Sequence, residues 1–167
     1  DIINQAENSL NKKDFKDIFV TAPTGSGKSV MFQIPAIYLS EKYNLMTIVV
    51  SPLIGLMFDQ VKGLERKAVN ISATINSNVT PIEKSTILEK IRNNEISILY
   101  ISPETLLSRS DINMLIGERK LGLVVIDEAH IVTTWGKAFR SDYWYLGTYL
   151  NKLRKERDFP VATFTAT

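Results

Sequence analysis

The pattern that most constrains this chain is the alternation of short apolar runs with longer helical segments. The runs are rich in Val and Ile and apolar on both faces, which is typical of strands buried in a parallel sheet. They span residues 17–21, 46–51, 97–102, 121–126 and 161–165, with a weaker run at 69–74. Segments of helical periodicity lie at about 2–10, 28–42, 53–67, 81–93, 103–118 and 142–157. This alternation predicts an α/β domain with a parallel β-sheet and helices on both of its faces.

Composition excludes several classes of protein. The 167 residues contain no cysteine, which excludes a disulfide framework or a Cys-ligated zinc site within this sequence. No apolar run approaches the ~20 residues that a membrane helix needs, and the first residues lack the basic-then-apolar order of a signal peptide. The net charge of +2 is a weak indication of nucleic-acid binding. We expect a domain taken from a longer protein, because the chain begins without Met and ends directly after an apolar run.

Residues 21–29, TAPTGSGKS, lie between a strand candidate and a helix candidate. They fit the phosphate-loop pattern G-x-x-x-x-G-K-[ST], with alanine in place of the first glycine. In such a loop, backbone N–H groups surround phosphate oxygens and the helix start adds its positive dipole end. Gly25 and Gly27 allow the backbone to approach closely, Lys28 can reach the β- and γ-phosphates, and the Ser29 hydroxyl can bind Mg²⁺. The alternative is a flexible Gly/Ser loop that happens to contain a lysine.

The stretch LVVIDEAH, residues 123–130, is an apolar strand that ends in two acids. A carboxylate in the position of Asp127 can hold Mg²⁺ through its water shell. Glu128 can then position and deprotonate the water that attacks a phosphate. A pair of acids favours hydrolysis over a switch or a small-molecule kinase. The alternative is an acidic surface turn that follows a core strand.

Nearly all of these motifs follow strand candidates. They occupy residues 21–29, 51–53, 102–104, 127–130 and 165–167. Ligands of parallel α/β folds bind at the carboxyl ends of the strands, so the sequence predicts a single site at that edge. His130, the one histidine in the chain, is either a residue at a helix start or a group that senses the γ-phosphate.

Taken in order, TAPTGSGKS, VVSPLIGLMFDQV, ILYISPETLL, VVIDEAH and FTAT resemble the motifs of superfamily 2 helicases. SPLIGLMFDQV, SPETLL and the aromatic-rich stretch after DEAH are similar to the RecQ branch of DNA helicases. The resemblance covers residues 1–167 and implies an N-terminal RecA-like P-loop domain, truncated at both ends, with the second RecA-like domain outside this sequence. It also implies ATP and Mg²⁺ as cofactors and 3′→5′ movement on single-stranded or forked DNA, away from membranes. The implied location is the bacterial cytoplasm, at the nucleoid, or otherwise the nucleus.

The resemblance assigns roles to residues by position. The ATP-binding residues are Thr24, Gly25, Ser26, Gly27, Lys28 and Ser29. Lys28, Asp127 and Glu128 carry catalysis, and Ser29 and Asp127 hold the metal. The residues that link the nucleotide to DNA handling are His130, Thr165 and Thr167. The residues that contact the nucleic-acid backbone are Ser51, Pro52, Leu53, Ser102 and Pro103.

An aromatic loop follows the acidic motif. Six of the fifteen aromatic residues, including both tryptophans, fall within residues 135–149, and unpaired bases stack on aromatic faces at ~1–3 kcal/mol each. We expect Trp135 and Phe139, which precede the last helix candidate, to couple to DNA, and Arg140 to pair with a phosphate or the ATP site. Lys137-Ala138 departs from the His-Asp that RecQ proteins usually carry there.

Two other functions remain open. The chain can be the motor of a superfamily 2 RNA helicase or remodelling translocase, with the same phosphate chemistry. It can also be a nucleotide-gated binding module without catalysis. For the DNA helicase, we expect the isolated domain, without its second RecA-like domain, to bind nucleotide weakly, to hydrolyse it poorly and to unwind no duplex.

Overall fold

The computed structural model describes residues 1–23, 27–108, 118–130 and 137–166, and of residues 137–140 the backbone alone. Strands and helices alternate along the described chain, as predicted. The strands are β1 (Ile18–Thr21), β2 (Met46–Val50), β3 (Ser72–Ile75), β4 (Ile98–Ile101), β5 (Leu121–Ile126) and β6 (Val161–Thr165). The helices are α1 (Ile2–Leu10), α2 (Lys28–Tyr43), α3 (Ile54–Arg66), α4 (Pro81–Arg92), α5 (Pro103–Ser108) and α6 (Lys137–Arg154).

The six strands form one parallel sheet in the order β1-β6-β5-β2-β4-β3. The predicted fold class, a parallel sheet with helices, is therefore confirmed. The last strand, β6, lies between β1 and β5, and its register pairs Thr21 with Thr165 and Ile126 with Thr163. Because β1, β6 and β5 run parallel, the carboxyl ends of β1 and β5 lie on the same side of the sheet, one strand apart.

Two apolar cores cover the two faces of the sheet. One is formed with α1, α2 and α3 and includes Phe32, Leu39 and Met57. The other is formed with α4, α5 and α6 and includes Ile91, Leu106 and Leu146. Side chains of β2, β4 and β5 enter both cores because successive residues of a strand point to opposite faces. The central strands thus explain the continuous apolar runs in the sequence.

Local sequence accounts for the helix boundaries. Thr80 caps α4 by accepting a hydrogen bond from the Glu83 backbone N–H, and the Glu83 carboxylate accepts one from the Thr80 backbone N–H. This reciprocal capping box follows from a Thr three residues before a Glu, with Pro81 at the first helical position. In α6, Leu146 and Leu150 are buried on the predicted apolar face.

Three features of the elements differ from the predictions: the start of α6, the burial pattern of β1 and the bounds of β3. Helix α6 begins at Lys137 rather than at 142, so Phe139 lies in its first turn and not before it; Lys-Ala-Phe-Arg has no helix-breaking residue. Strand β1 alternates between half-buried and exposed residues, with Phe19 70 % exposed, because it lies at an edge of the sheet. The weak run at 69–74 is a strand shifted to Ser72–Ile75. Most of the predicted 103–118 helix beyond Ser108 lies outside the described residues.

Within the described part of the chain, no helix combines the length and the apolar character that a membrane crossing requires.

Candidate functional site

The carboxyl end of β1 leads into the start of α2. Gly27 is the N-cap of this helix and has a left-handed φ of +77°, a conformation that glycine adopts without strain. Lys28 and Ser29 are the first two helical residues, so the lysine side chain and the serine hydroxyl start from a fixed backbone. Residues 24–26, which include the predicted Thr24, Gly25 and Ser26, lie outside the described residues.

The lysine of this turn meets the two acids that follow β5. Lys28 Nζ lies 3.7 Å from Asp127 Oδ1 and contacts the Glu128 carboxylate directly. All three residues are buried, with Asp127 only 1 % exposed. Buried charges persist when they are paired, and here residues a hundred positions apart in sequence supply the pair. The structure thus brings the two predicted halves of an ATP site together.

Asp127 is the least solvated member of this cluster. Burial raises its pKa above the ordinary value, and the negative charge of Glu128 adds to the effect. The positive charge of Lys28 and hydrogen bonds from the Glu128 backbone N–H and the Gln60 side chain oppose the rise without cancelling it. The positive charge and the hydrogen bonds around the Asp127 carboxylate therefore do not offset the cost of burying its negative charge. A further positive charge beside it would stabilise its ionised form.

Glu128 has a left-handed backbone with φ of +55°. This conformation is uncommon for a residue with a side chain and concentrates at functional sites. The Glu128 N–H donates to Asp127 Oδ1 at 3.0 Å, which offsets part of the strain. The turn directs both acids of the strand end toward Lys28.

His130 connects Glu128 to the end of β6. Its Nε2 lies 3.3 Å from Glu128 Oε2, and its Nδ1 accepts a hydrogen bond from the Ala166 backbone N–H at 3.1 Å. Because Nδ1 accepts, the ring proton lies on Nε2, facing the glutamate. The Thr165 carbonyl in turn accepts from the Ala22 N–H at 3.0 Å. The ends of β1, β5 and β6 are therefore joined by a continuous set of contacts.

The segments predicted to contact a nucleic-acid backbone follow β2 and β4 at the same edge. Ser51 and Ser102 are buried, and their hydroxyls bond locally, to the Leu53 N–H at 3.3 Å and to Thr105 Oγ1 at 2.7 Å. Pro103 is also buried, whereas Pro52 and Leu53 are half-buried. The two hydroxyls shape the turns into α3 and α5.

For four other residues predicted to couple the nucleotide to DNA, the structure describes either nothing or the backbone alone. Trp135 and Thr167 are outside the described residues, and of Phe139 and Arg140 only the backbone is described. Their assignments stay predictions. Tyr143 and Tyr149, expected to be core or helix-surface residues, are partly buried against the α4–α6 core.

Three polar residues beneath the site were missed by the sequence analysis. Gln33 of α2 donates to the Tyr100 hydroxyl at 3.0 Å, and the side chain of Gln60 in α3 acts to lower the pKa of Asp127. Burial, and secondarily the charge of Asp127, raises the pKa of Tyr100. The available signal was a glutamine on an apolar helix stripe: Gln60 lies three residues after Met57 and four before Leu64, both buried.

Comparisons with known proteins agree with this geometry. A family model described as DEAD/DEAH box helicase matches residues 2–167. The chain is 40 % identical over 154 residues to the ATP-dependent DNA helicase RecQ of Synechocystis, covering 91 % of this chain and 31 % of that protein. It is 41 % identical over 158 residues to the ATP-dependent helicase SGS1 of Saccharomyces cerevisiae, covering 91 % of this chain and 10 % of that protein.

The fold is also found among solved structures. The DUF1998 helicase MrfA, solved bound to DNA and AMPPNP, matches with a TM-score of 0.70 at 19 % identity, over 99 % of this chain and 23 % of that one. This likeness concerns the fold. The chain spans about a third or less of the length of the curated relatives described above.

Proposed function

Because the chain belongs to the DEAD/DEAH box helicase family, we propose that it is the first RecA-like motor domain of a RecQ-like, 3′→5′ DNA helicase. In the whole protein it binds Mg·ATP and uses hydrolysis to move along single-stranded DNA and to open forked duplex. The observation that carries the proposal is the contact of Lys28 with both Asp127 and Glu128. The identity to DNA helicases of the RecQ type supports DNA as the substrate.

The residues at the site fit a nucleotide-bound magnesium ion. Among the described residues, no group of three or more His, Cys, Asp or Glu side chains could hold a metal. A nucleotide-bound Mg²⁺ keeps several waters and needs only one or two protein ligands, which Ser29 and Asp127 can supply. The under-compensated carboxylate of Asp127 is the observation that favours a cation here. When bound, the ion would neutralise charge on the phosphates.

Lys28 has two sets of partners in this proposal. In the structure, the charge of Lys28 is balanced by Asp127 and Glu128. The ammonium group of Lys28 would hold the phosphates of a bound nucleotide through charge-assisted hydrogen bonds, and the Glu128 carboxylate would then be free of Lys28. The freed carboxylate can then accept a proton from the attacking water.

His130 links the position of the Glu128 side chain to the end of β6. Its contacts with Glu128 on one side and with the Ala166 N–H on the other make the end of β6 sensitive to where the glutamate points. In the whole protein, we infer that this edge faces the second RecA-like domain and the DNA. Pro52 and Leu53 are the half-buried parts of the predicted backbone-contact segments. The cellular location we propose follows the DNA: the nucleoid in a bacterium and the nucleus in a eukaryote.

The test is nucleotide hydrolysis by the intact protein with single-stranded DNA or RNA of the same sequence. We expect DNA to stimulate ATPase activity well above RNA, and Lys28→Ala to abolish the stimulated activity. Stronger stimulation by RNA would replace the DNA helicase with an RNA helicase. Nucleotide binding without hydrolysis in the presence of either would identify a nucleotide-gated binding module.

A further inference from the structure

A groove lies between helices α3 and α4, beside β3, the strand at one end of the sheet order. It has a volume of about 860 Å³, and its apolar lining includes Ile54, Phe58, Val61, Val79, Ile82 and Ile87. Phe58 is 53 % exposed and Ile82 is 81 % exposed. Single exposed apolar side chains are common on protein surfaces, whereas several that line one concave surface mark an interaction site.

The groove adjoins residues 51–53, the segment predicted to contact a nucleic-acid backbone. Helix α3 begins at Ile54, directly after Leu53, and Phe58 follows four residues later, ~6 Å along the helix axis. Ile54 and Gly55 themselves line the groove. A strand whose backbone follows residues 51–53 therefore passes the mouth of the groove.

The charges around the groove do not favour phosphates inside it. The charged residues of its lining are three carboxylates and two ammonium groups: Asp59, Glu65, Glu83, Lys62 and Lys90. Nucleobases are neutral and planar, and they stack on aromatic faces whatever their sequence. The groove therefore fits the bases of a strand whose phosphates stay at its mouth.

Phe58 has aromatic surface open to such a base. Lys62 Nζ lies 5.5 Å from the centroid of the Phe58 ring, a cation–π distance, and is held there by the Glu65 carboxylate at 3.2 Å. The ammonium group lies over one face of the ring. Because more than half of Phe58 is still exposed, ring surface remains for a second planar group.

We propose that Phe58 is a DNA-binding residue: a base of the single-stranded DNA stacks on its ring while the adjoining phosphate contacts residues 51–53. This inference rests on the proposed function, in which that segment follows the DNA backbone. Stacking carries no sequence preference, so it suits a motor that moves along any sequence.

The experiment measures binding of the intact protein to a fluorescently labelled single-stranded DNA and to a strand of equal length made of abasic nucleotides. We expect Phe58→Ala to weaken binding to the normal strand at least about 5-fold. This is the lower end of the ~1–3 kcal/mol per stacked base, converted at ~1.4 kcal/mol per tenfold. Binding to the abasic strand should be equal for the variant and the wild type. Phe58→Trp, which keeps an aromatic ring, should retain the wild-type affinity for both strands.

Phe19→Ala is the matched control. Phe19 is also an exposed phenylalanine, at 70 %, but it lies on β1 at the other end of the sheet order. Ile82→Ala is the second control, because it removes an exposed apolar side chain from the same groove without removing an aromatic ring. We expect both variants to bind the two strands as the wild type does.

Three results overturn the inference. An equal loss with the normal and the abasic strand would show that Phe58 does not contact a base. An equal loss in Phe58→Ala and Ile82→Ala would show that the groove binds through apolar contact and not through stacking. Unchanged binding of Phe58→Ala to the normal strand would leave the groove to a protein partner.

Each of these results leaves the proposed function intact if single-stranded DNA binds the wild-type protein and stimulates its ATPase activity. Failure of the wild-type protein to bind DNA would instead refute the proposed function.

Discussion

Among the described residues, one long cationic side chain is buried at each end of the parallel strands, and the partners of its charge differ between the two ends. We call the side where the strands begin the amino edge and the side where they end the carboxyl edge. At the amino edge, the Arg119 guanidinium donates to the carbonyls of Ile91 and Ile96 at 2.6 and 2.9 Å and to Ser97 Oγ at 3.1 Å. At the carboxyl edge, Lys28 is balanced by two carboxylates. These backbone carbonyls belong to α4 and to the loop that follows it, so they cannot move away from Arg119 without a change in the fold. Under the proposed function, the two carboxylates release Lys28 to a phosphate, so the partners of Lys28 can exchange whereas those of Arg119 cannot.

The pKa values of two aspartates repeat this contrast. Burial alone would raise the pKa of Asp17, but hydrogen bonds from Arg154 and from the Val161 N–H, with the charge of Arg154, lower it overall. Burial raises the pKa of Asp127 despite Lys28. Asp17 thus stabilises the folded chain when ionised, whereas ionised Asp127 opposes folding until a ligand arrives.

The largest expected effect comes from a substitution at the carboxyl edge, beside Lys28. Glu128→Gln keeps the shape of the side chain but cannot accept a proton, so we expect nucleic-acid-stimulated ATP hydrolysis to fall about 10²–10⁴-fold. Binding of a non-hydrolysable ATP analogue should be retained, because the proposed function assigns the phosphates to Lys28 and not to Glu128. Single-turnover hydrolysis and equilibrium binding on the intact protein measure the two quantities. A hydrolysis rate within a few-fold of wild type would remove Glu128 from the role of base.

The next largest effect is expected from a substitution of Arg119 at the amino edge. Arg119→Met removes the Arg119 donors to the Ile96 carbonyl and the Ser97 hydroxyl, while the Ile91 carbonyl keeps the Asn94 N–H as a donor. We expect the free energy of unfolding to fall by about 2–3 kcal/mol. Denaturant unfolding measures this loss. Nucleotide affinity of the folded fraction should not change, since Arg119 lies at the opposite edge. A loss of affinity without a loss of stability would contradict the division between the edges.

The smallest effect concerns the pH dependence of stability without nucleotide. Because the folded pKa of Asp127 is raised, the folded state binds more protons than the unfolded state between the ordinary value of 3.8 and the raised value. Stability therefore falls as pH rises through that window. Asp127→Asn should remove this fall and be more stable than wild type at neutral pH, as measured by thermal unfolding at several pH values.

Asp17→Asn is the control of opposite sign. Its lowered folded pKa gives stability that is present above 3.8 and is lost as pH falls. The variant should therefore be less stable than wild type at neutral pH. If both substitutions shift stability in the same direction, the opposition of the two aspartates is wrong.

The sequence could predict features that repeat a local pattern. The parallel sheet followed from apolar runs, the start of α4 from its capping box, and the meeting of Lys28 with Asp127 and Glu128 from the rule that strand ends share an edge. It could not predict Gln60 or Arg119, because their partners are set by tertiary packing across elements distant in sequence. The early start of α6 was missed for a related reason: aromatic residues were assigned to a loop although their backbone propensity permits a helix.

The position of β6 has a consequence for synthesis of the protein. Of the six described strands, β1 is the first along the chain and its neighbour in the sheet, β6, is the last. Until residues 161–165 leave the ribosome, β1 has no strand to pair with, and neither His130 nor Ala22 can reach its partner at the end of β6. The contacts that join the ends of β1, β5 and β6 can therefore form only after β6 has been synthesised.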